Sequence, residues 1–330
     1  MKVITQEEIK AWLDQLVGER TVVAPCDMSG TLLFRPVKDC SQIVCSTGRT
    51  VMSAKEYLFP HTERLLHIER IGQDVRLVEM QPEDEILLFG LHPCDARGMQ
   101  ILDALFLEKP PQDSYYARRR NHMTLVGMAC EEPGESCFCT TMGGSLDDPS
   151  GMDVMLSKTP GGFLAQAVTP KGKALLDAAG FPYTQSVHPA KKVHKPDIPP
   201  IEAWPEHFMD AYWRQISERC ISCRICAYVC PTCRCFDVRD EAIPTEGDGE
   251  FERIRCWDSC NSVNYRRVAG GHNPRLAKTQ RLRNRFYCKF YYFPHQYGPV
   301  TCTGCGRCVD ACPVNVDITE VIQQVYQHTR

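Results

Sequence analysis

Twenty cysteines in a chain of 330 residues are the side chains whose spacing most clearly indicates chemistry. Two segments repeat the pattern C-x2-C-x2-C-x3-C-P, namely CISCRICAYVCP at 220–231 and CTGCGRCVDACP at 302–313. Three cysteines at two-residue gaps let one tight loop place three thiolates around a single cube of iron and sulfide. In chains with two such motifs, the fourth cysteine of each copy binds the other cube. The spacing therefore predicts two [4Fe–4S] clusters.

The crossed arrangement defines two expected ligand sets. The first cluster takes Cys220, Cys223, Cys226 and Cys312, and the second takes Cys302, Cys305, Cys308 and Cys230. Zinc is the alternative metal for closely spaced cysteines, but tetrahedral zinc sites usually combine two separated C-x2-C pairs. Three cysteines in one short loop, found twice and each time followed by a terminal Cys-Pro, fit clusters better than zinc.

Four further cysteines in the N-terminal half form a second candidate constellation: Cys94, Cys130, Cys137 and Cys139. Cys94 follows a predicted strand at 85–92, and Cys130 ends another at 122–130. Because neighbouring strands of an α/β sheet end close together, the four thiols could converge on a third [4Fe–4S] cluster. The alternative is that Cys94 and Cys130 are buried as small apolar side chains, a common role for free cysteine.

Eight cysteines remain outside these sets: Cys26, Cys40, Cys45, Cys233, Cys235, Cys256, Cys260 and Cys288. Packing is the favoured interpretation for them, because free cysteine is often buried. An alternative function class is a thiol-dependent redox enzyme that uses Cys233, Cys235 or Cys260. Such an enzyme would turn over with NAD(P)H or thiols as an isolated chain.

The elements around the cysteines predict an α+β protein. Strands alternating with helices up to about residue 185 are typical of an α/β domain, and the third cluster, if it forms, belongs to this domain. A proline-rich linker is expected at 186–205, and a ferredoxin-like domain with two clusters and a long insertion at 206–330. Helices are expected from about Thr5 and over 95–107, 171–179 and 204–219, with further short strands at 153–157 and 163–168.

Composition and charge narrow the function classes. The formal net charge of −3 argues against a generally basic nucleic-acid-binding protein. No signal peptide opens the chain, and no run approaches the roughly 18 apolar residues of a membrane span. We therefore expect a cytoplasmic protein without a membrane span. In a reducing cytosol, thiols are poorer candidates for disulfides than for metal ligands.

The chain resembles the iron–sulfur electron-transfer subunits of two enzymes, anaerobic sulfite reductase and the sulfhydrogenase-type nickel–iron hydrogenases, where it is the beta subunit. The resemblance rests on HPCDARGMQILD (92–103), CEEPGESCFCTTMG (130–143), CISCRICAYVCPTCRCFDV (220–238), WDSC (257–260), AGGHNPR (269–275) and CTGCGRCVDACPVNVDI (302–318). It implies a protein that relays single electrons between a flavin- and NAD(P)H-handling partner and a catalytic partner. It also favours a third cluster at Cys94, Cys130, Cys137 and Cys139. The same relay in another flavin-linked complex is the alternative.

Two further patterns bear on the partners. No G-x-G-x-x-G follows a strand, so we expect no flavin or NAD on this chain and no bond chemistry of its own. The segment 266–289 carries eight arginines and lysines and no acidic residue. Its charge could offset anionic clusters or steer an acidic partner. A solvated helix face and a nucleic-acid site are the alternatives; we expect no nucleic-acid partner.

Overall fold

A computed structural model describes residues 3–45, 48–184, 197–244 and 249–327 of the protein. Its α-helices are α1 Gln6–Glu19, α2 Lys55–Leu58, α3 Pro93–Phe106, α4 Ser114–Asn121, α5 Pro170–Ala178, α6 Tyr212–Arg219, α7 Ile225–Tyr228, α8 Lys278–Tyr287, α9 Phe293–Tyr297, α10 Arg307–Asp310 and α11 Ile318–Gln327. Its strands are β1 Thr21–Met28, β2 Thr31–Pro36, β3 Thr62–Ile71, β4 Asp74–Glu79, β5 Ile86–Leu91, β6 Met123–Met128, β7 Val154–Thr159, β8 Gly162–Ala167, β9 Tyr183–Thr184, β10 Phe236–Ala242 and β11 Glu250–Trp257.

A seven-stranded sheet forms the frame of the N-terminal half, in the order β2-β1-β5-β6-β7-β8-β9. The strands β1, β5, β6 and β7 run parallel, whereas β2 and β8 are antiparallel to β1 and β7. Helix α1 packs Trp12 and Leu13 into the core on one face, and α3 packs Met99 and Leu102 into the core on the other. Because both faces are covered, β5 and β6 are apolar along almost their whole length. The predicted α/β pattern is confirmed.

A second, four-stranded antiparallel sheet has the order β10-β11-β3-β4. Its β3–β4 hairpin precedes the proline-rich segment in sequence, and its β10–β11 hairpin follows that segment. The two halves of the chain thus share one sheet. The predicted domain boundaries stay a prediction, and residues 186–196 of the predicted linker lie outside the described residues.

The cysteine-rich C-terminal part packs around helices and large aromatic side chains. A helical run from α8 through a π-helical turn at Cys288–Tyr292 to α9 contributes Phe286, Tyr287 and Phe290 to its core. The helix predicted at 204–219 is divided into a 3₁₀ helix, Ile201–His207, and α6. Pro205, which has no N–H to donate, lies in the first of these. No helix in the described ranges is long and apolar enough to cross a membrane.

Candidate iron–sulfur sites

The two repeated motifs adopt the same backbone path. Ser222 and Arg224 have φ of 58° and 69°, and the equivalent Gly304 and Gly306 have φ of 68° and 72°. One-turn helices, α7 and α10, follow at matching positions. The left-handed residues on either side of each second cysteine bend the chain into the tight loop that the spacing predicts. The internal repeat in sequence is therefore also a repeat in conformation.

The first motif closes around a cavity completed by a cysteine of the second motif. Cys220, Cys223 and Cys226 line this cavity together with Cys312. Backbone N–H groups point at the sulfurs: that of Ser222 donates to Cys220 Sγ over 3.4 Å, and that of Val316 to Cys312 Sγ over 3.1 Å. The structure brings together all four residues of the first predicted ligand set.

The second cavity mirrors the first. Cys302, Cys305 and Cys308 line it with Cys230 from the first motif, so the crossed pairing of the fourth cysteines is also observed. The buried Lys289 Nζ donates to Cys230 Sγ over 3.2 Å, to Thr232 Oγ1 over 3.1 Å and to Thr301 O over 3.0 Å. A cation buried against a cysteine sulfur indicates that the sulfur carries negative charge.

A third cavity, of about 180 Å³, is lined by Cys94, Cys130, Cys137 and Cys139. Cys94 lies in the first turn of α3, directly after β5, and Cys130 lies two residues after β6. Since β5 and β6 are parallel neighbours, their carboxyl ends deliver both thiols to one edge of the sheet. The expected convergence is observed; the role of these thiols as ligands stays a prediction.

Charged and polar side chains complete the wall of the third cavity. Arg49 Nη1 donates to Cys137 Sγ over 3.7 Å, and His92 Nδ1 lies 3.3 Å from Cys130 Sγ. Both residues also line the cavity. His92 therefore contacts a candidate ligand, beyond the packing role that its sequence position favoured.

The third cavity is built directly against the loop of the second motif. The N–H of Phe138 donates to Gly304 O over 2.8 Å. A Cβ on Gly304 would lie 2.5 Å from Cys139 Cα, and one on Gly306 would lie 2.3 Å from Ser136 O. Only glycine permits this approach of two backbones. The second and third cavities consequently share a wall, and Cys305 lines both.

A buried ion pair lies at the junction between the second and third sites. Arg307, between two cysteines of the second motif, donates from Nη2 to Asp95 Oδ2 over 2.8 Å, and both side chains are 1% exposed. Arg307 also donates to Thr50 O over 2.9 Å and to Thr50 Oγ1 over 3.0 Å. Asp95 directly follows Cys94, so the pair connects the ligand loops of two candidate sites.

Arg285 occupies the equivalent junction between the first and second sites. Its guanidinium is buried, and Nε has no hydrogen-bond partner among the described residues. Burial lowers the pKa of Arg285, but the neighbouring Cys226 and Cys308 raise it further, so the group stays charged. Cys226 belongs to the first set and Cys308 to the second. The three cavities therefore form a row in the order third, second, first.

Burial sets the protonation of most cysteines that line the cavities. It raises the pKa of Cys302 to about 11 and the pKa values of Cys130 and Cys308 to about 12. Cys230 is the exception, because a hydrogen bond with Cys233 and the charge of Lys289 hold its pKa well below the usual value. A metal that binds the first three thiols must displace their protons.

The basic segment at 266–289 divides into two groups. Arg281, Arg285 and Lys289 are buried, whereas Arg266 and Arg267 are exposed. The buried members are four residues apart and therefore share one helix face. This spacing was the available sequence signal for the cations near the clusters. The Arg307–Asp95 pair had no such signal, because its members are far apart in sequence.

Several remaining cysteines pair with each other away from the three cavities. A hydrogen bond with Cys260 lowers the pKa of Cys235 to about 6. Neither residue lines any of the three cavities, and nor does Cys233. Within the described ranges, no three His, Cys, Asp or Glu side chains converge as a single metal ion requires. The cysteines surround spaces and do not converge on points.

Comparison with known proteins gives two matches. The family model described as a 4Fe-4S dicluster domain matches residues 219–316, which include both repeated motifs. Over 320 residues the chain is 30% identical to the sulfhydrogenase 2 subunit beta of Pyrococcus furiosus, and the alignment covers 92% of each chain. No solved structure matches the chain.

Proposed function

Because the chain belongs to the family of sulfhydrogenase beta subunits, we propose that it relays single electrons between two partners through three [4Fe–4S] clusters. Their ligands are the cysteines that line the three cavities. The observation that carries this proposal is the row of three cavities, each lined by four cysteines and each sharing a junction with the next. Each cluster, when bound, accepts and releases one electron at a time.

The donor sets fit iron–sulfur clusters. All twelve proposed ligands are cysteines, which is the ligand type that [4Fe–4S] clusters require. Arg285 and Lys289 are buried, and within the described residues neither forms an ion pair with a carboxylate. Buried cations without carboxylate partners are costly unless another anion compensates them. Clusters ligated by four thiolates are such anions.

The chain's own residues hold and tune the sites. Backbone N–H groups at Ser222 and Val316 donate to sulfur, which favours the thiolate and raises a cluster's potential. Lys289 does the same at Cys230. Phe138 lies between Cys137 and Cys139, lines the second cavity and limits the access of water. Backbone contact between neighbouring sites keeps transfer distances short.

The partners follow from the family. The Pyrococcus relative is by name a sulfhydrogenase subunit, which favours a hydrogenase-type complex over a sulfite-reductase type for this chain. We propose that a flavin- and NAD(P)H-binding subunit lies on one side of the relay and a catalytic subunit on the other. The flavin and nucleotide then belong to the partner. A chain with this role does not turn over substrate in isolation.

Iron analysis after anaerobic purification tests the proposal. The wild-type chain is expected to carry about 12 irons, and Cys137→Ala/Cys139→Ala about 8, since one of three cubes is lost. Cys45→Ala, which changes a partly buried cysteine outside the sites, is the matched control and keeps about 12. Equal iron in the double variant and the control would remove the third cluster. A colourless protein holding zinc would refute the whole proposal.

The crossed pairing has a separate test. Cys230→Ala is expected to damage the second cluster and leave the first intact, because Cys230 lines the second cavity. EPR of the reduced protein distinguishes the clusters. Loss confined to the first cluster would contradict the pairing. Evolution of hydrogen or reduction of sulfite by the isolated chain would contradict the relay.

A further inference from the structure

The first site lies at the surface, and exposed apolar side chains surround it. Cys223 is exposed, in contrast to the buried Cys302 and Cys305 of the second site. Its near neighbour Ile221 is 61% exposed. On the adjoining loop, three more large apolar side chains are exposed, namely Val263 at 45%, Val268 at 53% and Leu276 at 69%.

Hydrogen bonds tie this loop to the first motif. Asn261 Nδ2 donates to Cys220 Sγ over 3.7 Å, and Lys278 Nζ donates to Cys220 O over 2.9 Å. These residues flank the loop on both sides. Within it, Asn273 donates to the carbonyl of Val263. The exposed apolar residues therefore belong to one surface next to Cys223, which we call the Cys223 face.

The Cys223 face carries positive charge and little negative charge. Arg266 and Arg267 are exposed on the loop, and Arg275 is partly exposed. No acidic residue occurs from 259 to 309. Arg224 forms an ion pair of 4.0 Å with Asp258, the carboxylate that precedes this stretch. A surface of apolar groups rimmed by unopposed arginines favours an acidic protein partner.

The other end of the row has the opposite charge. The loop at the third cavity contains Glu131, Glu132 and Glu135, all exposed, and Glu132 lines the cavity. Glu131 is paired with Lys158 over 3.0 Å. A partner with an acidic surface is therefore repelled at the third site and attracted at the first. Charge thus distinguishes the two ends of the relay.

We propose that the Cys223 face is the docking site for a redox protein whose electron-transfer group lies in an acidic surface. The inference rests on the proposed relay and assigns one of its ends. Arginines steer the approach, the four apolar side chains pack against the partner, and electrons cross at Cys223. Steering by charge raises association rates by about 10–10³-fold and weakens as salt is added.

Stopped-flow kinetics with a reduced, acidic plant-type ferredoxin as the probe tests this docking site. The full chain, loaded with clusters, is compared with Arg266→Glu/Arg267→Glu. We expect the second-order rate constant of the variant to fall by about tenfold or more at low salt, since attraction becomes repulsion. Its salt dependence should reverse in sign. Leu276→Ser should weaken saturation by the ferredoxin without changing the salt dependence.

Controls separate docking from cluster loss and from net charge. Lys10→Glu/Lys38→Glu reverses two exposed cations near the opposite end of the sequence and should leave the rate unchanged. A zwitterionic viologen should reduce all variants equally. Equal rates in the two double variants, whether both slow or both unchanged, would overturn the docking site. A wild-type chain that binds no iron would instead overturn the proposed function.

Discussion

At the scale of single residues, Lys289 makes the most direct contact between a cation and a candidate ligand. Its Nζ lies 3.2 Å from Cys230 Sγ, and the side chain is 3% exposed. Lys289→Gln removes the charge, so the reduced and more negative form of the second cluster loses stabilisation. We expect its midpoint potential to fall by about 60 mV, a tenfold change for one electron.

Potentiometric titration followed by EPR measures this shift. Lys173→Gln, on α5 and away from the cysteines, provides the matched control and should leave every potential unchanged. A purely structural role for Lys289 would instead lower the iron content at unchanged potential. A rise in the potential of the second cluster would contradict the electrostatic argument.

The Arg307–Asp95 pair makes a second prediction at the residue scale. Removing one member of a buried ion pair leaves the other charge uncompensated, which typically costs about 3–5 kcal/mol. We expect Arg307→Met to lower the free energy of unfolding by this amount. Asp95→Leu combined with Arg307→Met should lose less than the sum of the two single changes. Urea denaturation of the loaded protein measures all four members of the cycle, and additive losses would show that the pair is uncoupled.

At the scale of elements, the contact between the second motif and residues 136–139 depends on two glycines. Gly304→Ala would place a Cβ 2.6 Å from Cys139 N and 2.5 Å from Cys139 Cα, at a φ of 68° that disfavours alanine. The two loops must separate, and the third cavity opens. We expect iron to fall from about 12 to about 8 or fewer per chain, with the first cluster retained.

Gly18→Ala is the matched control for this change, because a Cβ at Gly18 meets nothing within 4 Å on helix α1. It should keep the full iron content and stabilise the helix slightly. Iron analysis and EPR of both variants provide the comparison. Full iron in Gly304→Ala would mean that the contact between the loops does not support the third site.

Sequence reasoning reached those elements whose signal is local. The ends of β5 and β6 predicted that Cys94 and Cys130 would meet, and the paired motifs predicted the exchange of Cys230 and Cys312. Pairing of β3 with β11 was not predictable, because the two strands lie far apart in sequence and neither sequence indicates its partner. The packing of Gly304 against Cys139 was hidden for the same reason.

At the scale of the whole molecule, the candidate sites join two parts of the chain. The core around α1, β1 and β7 contains no proposed ligand and packs by apolar contact alone. The second and third cavities, in contrast, lie where the loop at 136–139 meets the second motif. Burial of Arg285, Lys289 and Arg307 near these cavities depends on compensating negative charge.

Removal of iron should therefore loosen the molecule unevenly. Metal binding contributes free energy of folding where ligands come from distant segments, so its loss is felt most at the junction. After anaerobic chelation we expect faster hydrogen exchange at 134–142 and 302–310, while α1 and β1 keep their protection. Mass spectrometry of the exchanged peptides measures both, and reloading with iron and sulfide should restore the slow exchange. Uniform acceleration along the chain, or none at the junction, would show that the clusters do not join the two parts.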